Sequence, residues 1–239
     1  MNAIILVAGR GSRLNRYTKY NPKALIKFKN NTLLQNQINN LNINNINNIC
    51  LITGYMKDKF IKYKVKKIYN KNWRKSNMIY SLLLAKKILL RKECIISYGD
   101  IFYESNAISK LKNCKSNFCL LNNKNYLKNW QSRYKNPLKD LETFKFDKKN
   151  FITEIGNKTK KYHDIRGQFM GLFKTKPMVW KKIFTFISSR KLNIQNISTT
   201  EFLNYFITNK ILKIKVINYT NKWYEVDNSN DLIYLKKDN

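Results

Sequence analysis

AIILVAGRGSRLNRYTKYNPKALIKF, from Ala3 to Phe28, carries three signals in succession. Ala3 to Val7 is an apolar, β-branched run of the kind that forms a buried strand. Ala8-Gly9-Arg10-Gly11-Ser12-Arg13 is a tight glycine turn with cations on it. A loop then ends in Asn21-Pro22-Lys23 and re-enters apolar sequence. Glycines let a backbone approach a ligand closely, successive N–H groups form an anion-binding nest, and Arg and Lys supply charge. Strand, glycine turn, cations and lysine, in that order, are the parts needed to grip a triphosphate. The glycines by themselves also fit a β-turn with surface cations. Neither G-x-x-x-x-G-K-[ST] nor G-x-G-x-x-G occurs, so this is not a P-loop or a dinucleotide fingerprint.

Downstream, helix and strand signals alternate. Thr32 to Leu41 has Leu33, Leu34, Ile38 and Leu41 at helical spacing, with Thr32 as N-cap. Asn42 to Asn48 is a polar turn, Ile49 to Thr53 a second buried strand closed by Gly54-Tyr55, Lys57 to Lys62 a short helix, and Val65 to Tyr69 a third strand. This alternation predicts an α/β chain: a Rossmann-like, mostly parallel mixed sheet flanked by helices. Ser76 to Leu90 reads as one helix with Ile79, Leu82, Leu83 and Leu89 inward and Ser76 or Asn77 as its cap. Cys94 to Ser97 is a fourth strand that runs into Tyr98-Gly99-Asp100. Ligands in open α/β sheets sit at the carboxyl ends of strands, so Asp100 is a candidate magnesium ligand, with an Asx-turn as the plainer alternative. Phe118 to Leu121 is a further strand, and Phe144 to Phe146 with Phe151 to Ile155 form a hairpin about Asp147 to Asn150. Two helices (Lys176 to Ile187 and Thr199 to Asn209), a strand (Ile211 to Ile217) and a terminal helix (Asn228 to Leu235) follow. Before that last helix, Glu225 and Asp227 stand two apart on an extended segment, which puts both carboxylates on one face. A divalent cation would remove their repulsion; a solvated edge is the alternative.

The chain has 239 residues and 43% apolar content, which suits a single domain over residues 1–239 with a full core. No apolar run approaches the roughly 18 residues of a membrane span. The first apolar run is short and leads into a glycine turn, unlike a secretory signal, so a cytoplasmic protein is expected. A formal charge of +33 would suit a nucleic-acid partner. The lysines, however, are dispersed from Lys57 to Lys215, and rise together with Asn and Ile, as in a chain of AT-biased coding. Nucleic acid is therefore not the expected partner, while the charge should draw in small anionic substrates. Cys50, Cys94, Cys114 and Cys119 contain no C-x-x-C, and the single His163 cannot complete a zinc site of the usual kind. Cys50 and Cys94 read as reduced core residues.

Leu6-Val7-Ala8-Gly9-Arg10-Gly11-Ser12-Arg13-Leu14, then Pro22-Lys23-Ala24-Leu25, resembles the opening of the sugar-nucleotide and choline-phosphate nucleotidyltransferases, L-A-A-G-x-G-x-R-L followed by P-K-x-L. Val7 for the usual alanine is the one departure. Other stretches are similar to the choline-phosphate-type cytidylyltransferases of the MobA-like NTP transferase superfamily, and they occur in the family's order. They are Ser76 to Leu82, Tyr98-Gly99-Asp100, Trp130-Gln131-Ser132-Arg133 with Pro137 to Thr143, Gly167 to Leu172 (G-Q-Y-M-G-L in the family), and Trp223 to Leu232 (W-x-E-[IV]-D-x-x-x-D-L). The resemblance runs from residue 2 to about residue 235.

This resemblance implies a nucleotide-diphospho-sugar transferase (GT-A-like) fold and transfer of CMP from CTP to a phosphate or phosphonate acceptor, with release of pyrophosphate. It implies that Gly9, Gly11 and Ser12 line the triphosphate and that Arg13 and Lys23 neutralise it, Lys23 nearest the reacting phosphorus. Asp100, Glu225 and Asp227 would hold Mg²⁺, and the base would lie near Ala8, Gly54, Tyr55 and Asn77. Trp73, Trp130, Lys158 and Gln168 would face the acceptor, with Tyr98 and Trp223 as further aromatic partners for an ammonium group. The acceptors implied are choline phosphate, 2-aminoethylphosphonate or phosphoglutamine, the stretch from Trp130 to Thr143 pointing to the last two. A sugar-1-phosphate nucleotidyltransferase is the alternative within enzymes, and a basic RNA-binding module is the alternative of another class. The oligomeric state is left open.

Overall fold

The computed structural model describes residues 1–131 and 134–236. Its elements run β1 (Asn2–Val7), the two-residue strands β2 (Lys27–Phe28) and β3 (Asn31–Thr32), α1 (Leu33–Ile43), β4 (Ile49–Thr53), β5 (Lys66–Tyr69), α2 (Met78–Leu83), α3 (Lys86–Leu89), β6 (Cys94–Tyr98) and β7 (Ile101–Tyr103). Then come α4 (Asn106–Asn113), β8 (Phe118–Asn123), α5 (Tyr126–Gln131), β9 (Glu142–Phe146), β10 (Ile152–Lys158), β11 (Gln168–Thr175), α6 (Pro177–Arg190), α7 (Thr199–Thr208), β12 (Lys215–Tyr219), β13 (Trp223–Glu225) and α8 (Ser229–Lys236).

Among the described residues, seven strands form the main sheet in the order β12-β8-β11-β6-β1-β4-β5. Neighbours are parallel except where β11 lies antiparallel between β6 and β8. The chain therefore winds outward from β1 to β4 and β5, then returns to place β6 on the other side of β1. That reversal creates a switch point between β1 and β6, where the loops after the two strands diverge and leave a crevice. Leu6 pairs with Tyr98, so both strands end at the same level. β1, β4 and β6 are buried on both faces, which explains why they read as continuous apolar runs without alternation.

A second, smaller core of Leu14, Phe28, Leu33, Phe102, Val226 and Leu232 lies apart from the main one. It joins the glycine turn, the strand after Asp100 and the segment carrying Glu225 and Asp227. β13 pairs antiparallel with β7, with Glu225 opposite Ile101. The β9/β10 hairpin forms beside the sheet, with the turn at Asp147–Asn150 closed by Asp147 accepting from Phe151 N at 2.8 Å.

The structure corrects three expectations. Ser76 to Leu90 folds as two short helices, α2 and α3, meeting at buried Ala85, whose backbone (φ −83°, ψ 19°) leaves the helical region. The small side chain lets this elbow pack tightly. The run from Ile211 becomes strand only at Lys215, because the Ile211 and Leu212 N–H groups are taken by the Phe206 carbonyl at the end of α7. Lys57 to Lys62 forms a single 3₁₀ turn over Lys57–Phe60. Cys50 and Cys94 are buried free thiols, pushed up by burial to about 11 and about 12. No helix among the described residues is long and apolar enough to cross a membrane.

Candidate active site

The crevice beyond β1 and β6 is a cleft of about 380 Å³. One wall is the turn that leaves β1: Ala8, Gly9, Gly11, Ser12 and Arg13 all line it. Gly11 adopts φ 72°, a conformation open to glycine and costly for a side chain. A Cβ there would also lie 2.7 Å from Lys23 Cδ, so the turn sits directly on the stem of that lysine. The Gly9 position faces open space.

The floor is built by the turn after β6. Gly99 N donates to Leu6 O at 3.0 Å, tying the two strand ends together. A Cβ on Gly99 would meet Val7 Cγ1 at 2.6 Å, so the turn that presents Asp100 needs a glycine here. Gln37, fully buried in α1, donates from Nε2 to Tyr98 O (2.9 Å) and Ile101 O (2.8 Å) and accepts from Ser97 Oγ (2.7 Å). It brackets the Asp100 turn from beneath. Sequence reasoning missed Gln37, although a polar residue among Leu34, Ile38 and Leu41 was the signal.

The third wall carries Glu225 and Asp227. Both face the cleft while Val226 between them enters the small core, as a period-two backbone requires. Val226 N donates to Asp100 O at 3.1 Å. Asp231 Oδ2 accepts from Asp227 N (2.6 Å) and Asn228 N (2.9 Å), and Asn228 Oδ1 accepts from Asp231 N (3.2 Å), a reciprocal cap on α8 that fixes the backbone at Asp227.

Where these walls meet, Lys23 Nζ lies 2.6 Å from Asp100 Oδ2 and 2.6 Å from Asp227 Oδ1. Arg13, largely exposed, reaches Asp227 Oδ1 at 3.1 Å. Burial alone would pull the Lys23 ammonium down, but Asp100 and Asp227 outweigh it and hold it above its ordinary value. Asp100 Oδ1 is buried and has no hydrogen-bond partner. A point where one cation touches two carboxylates, beside a carboxylate oxygen without a partner, has the chemistry of a divalent-cation site. Among the described residues no group of three or more His, Cys, Asp or Glu is gathered closely enough to cage a metal unaided. Mg²⁺ in nucleotide enzymes commonly takes one or two carboxylates plus substrate phosphates, which matches a pair.

The remaining predicted residues divide. Trp73 and Asn77 line the cleft with Ser76 and Met78. Asn77 also caps α2, its Oδ1 accepting from Met78 N at 2.8 Å. Asn70, fully buried, donates to Ser76 Oγ (3.0 Å) and Ser81 Oγ (2.9 Å) and so orders this loop. Gly54 and Tyr55 do not line the cleft; they buttress it. Tyr55 N donates to Ala8 O at 2.9 Å, its hydroxyl donates to Thr18 O (2.9 Å) and Lys19 O (2.6 Å), and its ring lies 5.3 Å from that of Trp73. Trp130 is corrected from acceptor contact to core: it is buried, stacks on Trp223 at 6.1 Å and donates from Nε1 to Asp140 Oδ2 at 2.8 Å. Trp223 is likewise buried and donates to Met170 O at 3.0 Å. Tyr98 is buried against Phe169, and burial pushes its hydroxyl well up, with Thr199 opposing and Glu225, Asp100 and Glu142 adding. Lys158 is exposed at the end of β10 and Gln168 opens β11; neither lines the cleft. Ser132 and Arg133 lie outside the described residues.

Residues 3–122 match the MobA-like NTP transferase domain. Across 97% of this chain and 98% of the relative, the sequence is 33% identical to the CTP:phosphoglutamine cytidylyltransferase of Campylobacter jejuni. It is 41% identical to the choline-phosphate cytidylyltransferase of Streptococcus pneumoniae, over 43% of this chain and 46% of that one. Among solved structures, the CTP:phosphocholine cytidylyltransferase of S. pneumoniae superposes with a TM-score of 0.70 at 22% identity, covering 99% of this chain and 97% of that chain. The inositol-1-phosphate CTP transferase of T. maritima superposes with a TM-score of 0.75 at 19% identity, covering 99% and 94%. These structural likenesses establish the nucleotidyltransferase fold. With a glycine turn, lysine and paired acids meeting at the switch point, and with a relative matched end to end, the chain belongs to the MobA-like NTP transferase family.

Proposed function

We propose that this chain is a Mg²⁺-dependent cytidylyltransferase that joins CMP from CTP to a phosphorylated amino-acid-like acceptor of the phosphoglutamine type and releases pyrophosphate. The observation that carries this is the convergence of the glycine turn, Lys23, Asp100 and Asp227 in one cleft, in a chain similar over its full length to a phosphoglutamine cytidylyltransferase.

The chemistry asks little of a general base. A phosphomonoester with a second pKa of about 6 is already a competent anionic nucleophile at neutral pH. What remains is to bring two polyanions together and to offset charge that builds on the α-phosphate. Gly9, Gly11 and Ser12 present backbone to the triphosphate. Arg13 and Lys23 offset its charge. Asp100 and Asp227, with Glu225 beside them, would hold the ion, which polarises the α-phosphate and shields the acceptor when bound. Trp73 and the loop 76–78 close the side of the cleft where a base or acceptor would lie.

The test is pyrophosphate release from each of the four NTPs with Mg²⁺ and a panel of phosphoglutamine, choline phosphate, 2-aminoethylphosphonate and sugar 1-phosphates. Release with CTP and phosphoglutamine, abolished by chelation of Mg²⁺, is the expected result. Release with another acceptor alone would move the chain to another branch, and silence with every pair would overturn the reading.

A further inference from the structure

Lys23 stands where a metal would. Its ammonium is 2.6 Å from each of Asp100 Oδ2 and Asp227 Oδ1. Its stem is covered by Gly11, with no room even for a methyl group between them. An ammonium and a divalent cation cannot share two carboxylate oxygens at such distances, because their repulsion in a partly buried cleft is large.

We propose that Lys23 is a resident counter-ion that holds the divalent cation's seat in the nucleotide-free protein, so that metal enters only together with a nucleotide whose phosphates take the ammonium off the two aspartates. The inference rests on the nucleotidyl-transfer reading, but its test does not use turnover. Lys23 touches both carboxylates, whereas Arg13 reaches Asp227; without Lys23 the free protein would leave the two acids facing each other in the cleft. With Lys23 there, the pair is quiet until an anion arrives. A triphosphate is that anion: it offers the ammonium a new partner and brings oxygen ligands that complete a two-carboxylate metal site. Since Gly11 lies on the lysine stem, the turn that cradles the phosphates also sets where the ammonium can point. Metal and nucleotide affinities are then coupled, and by linkage each raises the other equally.

The experiment measures Mn²⁺ binding to the full chain without nucleotide, by the electron paramagnetic resonance signal of free Mn²⁺. Wild type is expected to bind weakly. Lys23→Met is expected to bind at least about tenfold tighter, since one positive charge has been removed from the seat. Lys23→Arg, which keeps the charge, should stay weak, and adding Asp227→Asn to Lys23→Met should abolish the gain. Lys23→Gln serves as a second uncharged variant. Should either uncharged variant be unfolded in chelator, Mn²⁺ at constant ionic strength is expected to restore its circular-dichroism spectrum. Mn²⁺ affinity in Lys23→Met or Lys23→Gln no tighter than wild type would overturn the proposal, as would a variant left unfolded at high Mn²⁺. Tight Mn²⁺ binding by Lys23→Met, together with a wild-type protein that releases no pyrophosphate with any NTP and acceptor, would sink the transferase reading and leave the counter-ion role standing. Release with CTP alongside unchanged Mn²⁺ affinity would do the reverse.

Discussion

Lys23 and Gln37 support the cleft in different ways, and their variants should fail differently. Lys23→Ala removes a preorganised charge aimed at the reacting phosphate, so kcat should fall about 10²–10³-fold, and it leaves Asp100 and Asp227 facing each other, so the melting temperature without metal should fall as well. Steady-state kinetics alongside a thermal melt checks this; a loss confined to stability would contradict it. Gln37 touches no cleft residue's side chain and instead supports the Tyr98 and Ile101 carbonyls. Gln37→Leu takes this donor from both carbonyls, leaving Tyr98 O to the Ser97 hydroxyl, at a cost of about 1–3 kcal/mol in all. Urea denaturation should show that loss, and Asp100 should be displaced with it. Glu142 gives the pH-dependent case. Burial pushes its carboxyl up, the Thr200 hydroxyl opposing and Asp140 adding. A carboxyl raised in the folded state holds its proton more tightly there, so its contribution is present below the ordinary carboxylate range and is lost as pH rises through the raised value. Glu142→Gln mimics the protonated form. It should therefore unfold at higher urea than wild type at neutral pH, with the gap closing in acid; a gap that widens in acid would be the wrong sign. At this scale the acids were legible because each sits at a strand end or at period-two spacing, and Lys23 because it closes the loop that follows the glycine turn. Trp130 was not, since an aromatic in a surface-like stretch reads the same whether it meets a ligand or, as here, another buried tryptophan.

The elements that place these residues were legible to different degrees for a physical reason. β1, β4 and β6 announce themselves locally, as apolar runs ended by glycine or by a polar turn. β7 and β13 are three residues each and owe their existence to one another, pairing Trp223 with Tyr103 across half the chain. No local pattern marks such a pair. The same is true of the small core, whose six members come from four stretches of the chain, around residues 14, 28–33, 102 and 226–232. Val226 shows what that core does. It sits between Glu225 and Asp227, and its side chain anchors the segment that aims both at the cleft. Val226→Ala should cost about 1–3 kcal/mol of stability as a buried truncation. Because its backbone N–H also ties to Asp100 O, the variant should lower kcat even at a temperature where it is fully folded. The same truncation placed in the main core, Val179→Ala in α6, should leave kcat unchanged at that temperature. Equal kinetic losses in both would make the small core ordinary packing.

Across the whole molecule the charge of +33 meets a cleft in which Asp100 and Asp227 are already paired with Lys23 and Arg13. Few carboxylates elsewhere offset the cations, so the surface carries a long-range positive field that the internal ion pairs do not cancel. Such a field raises the encounter rate of a polyanion and is screened beyond about 10 Å at ordinary salt. The contacts that do the chemistry are shorter than that and partly buried, so they are screened far less. Raising NaCl from low to moderate ionic strength should therefore lower kcat/KM for CTP severalfold, through KM, and leave kcat nearly flat. Stopped-flow binding of a fluorescent CTP analogue should place the loss in the association rate. The same titration separates this reading from a nucleic-acid role. An RNA-binding surface would give steep salt dependence for RNA of any sequence, scaling with the number of phosphates contacted. Competition by bulk RNA against CTP that disappears at moderate salt, while turnover continues, would mark the charge as a field around an enzyme. Persistence of that competition at high salt would mean that a specific nucleic-acid surface exists beside the cleft.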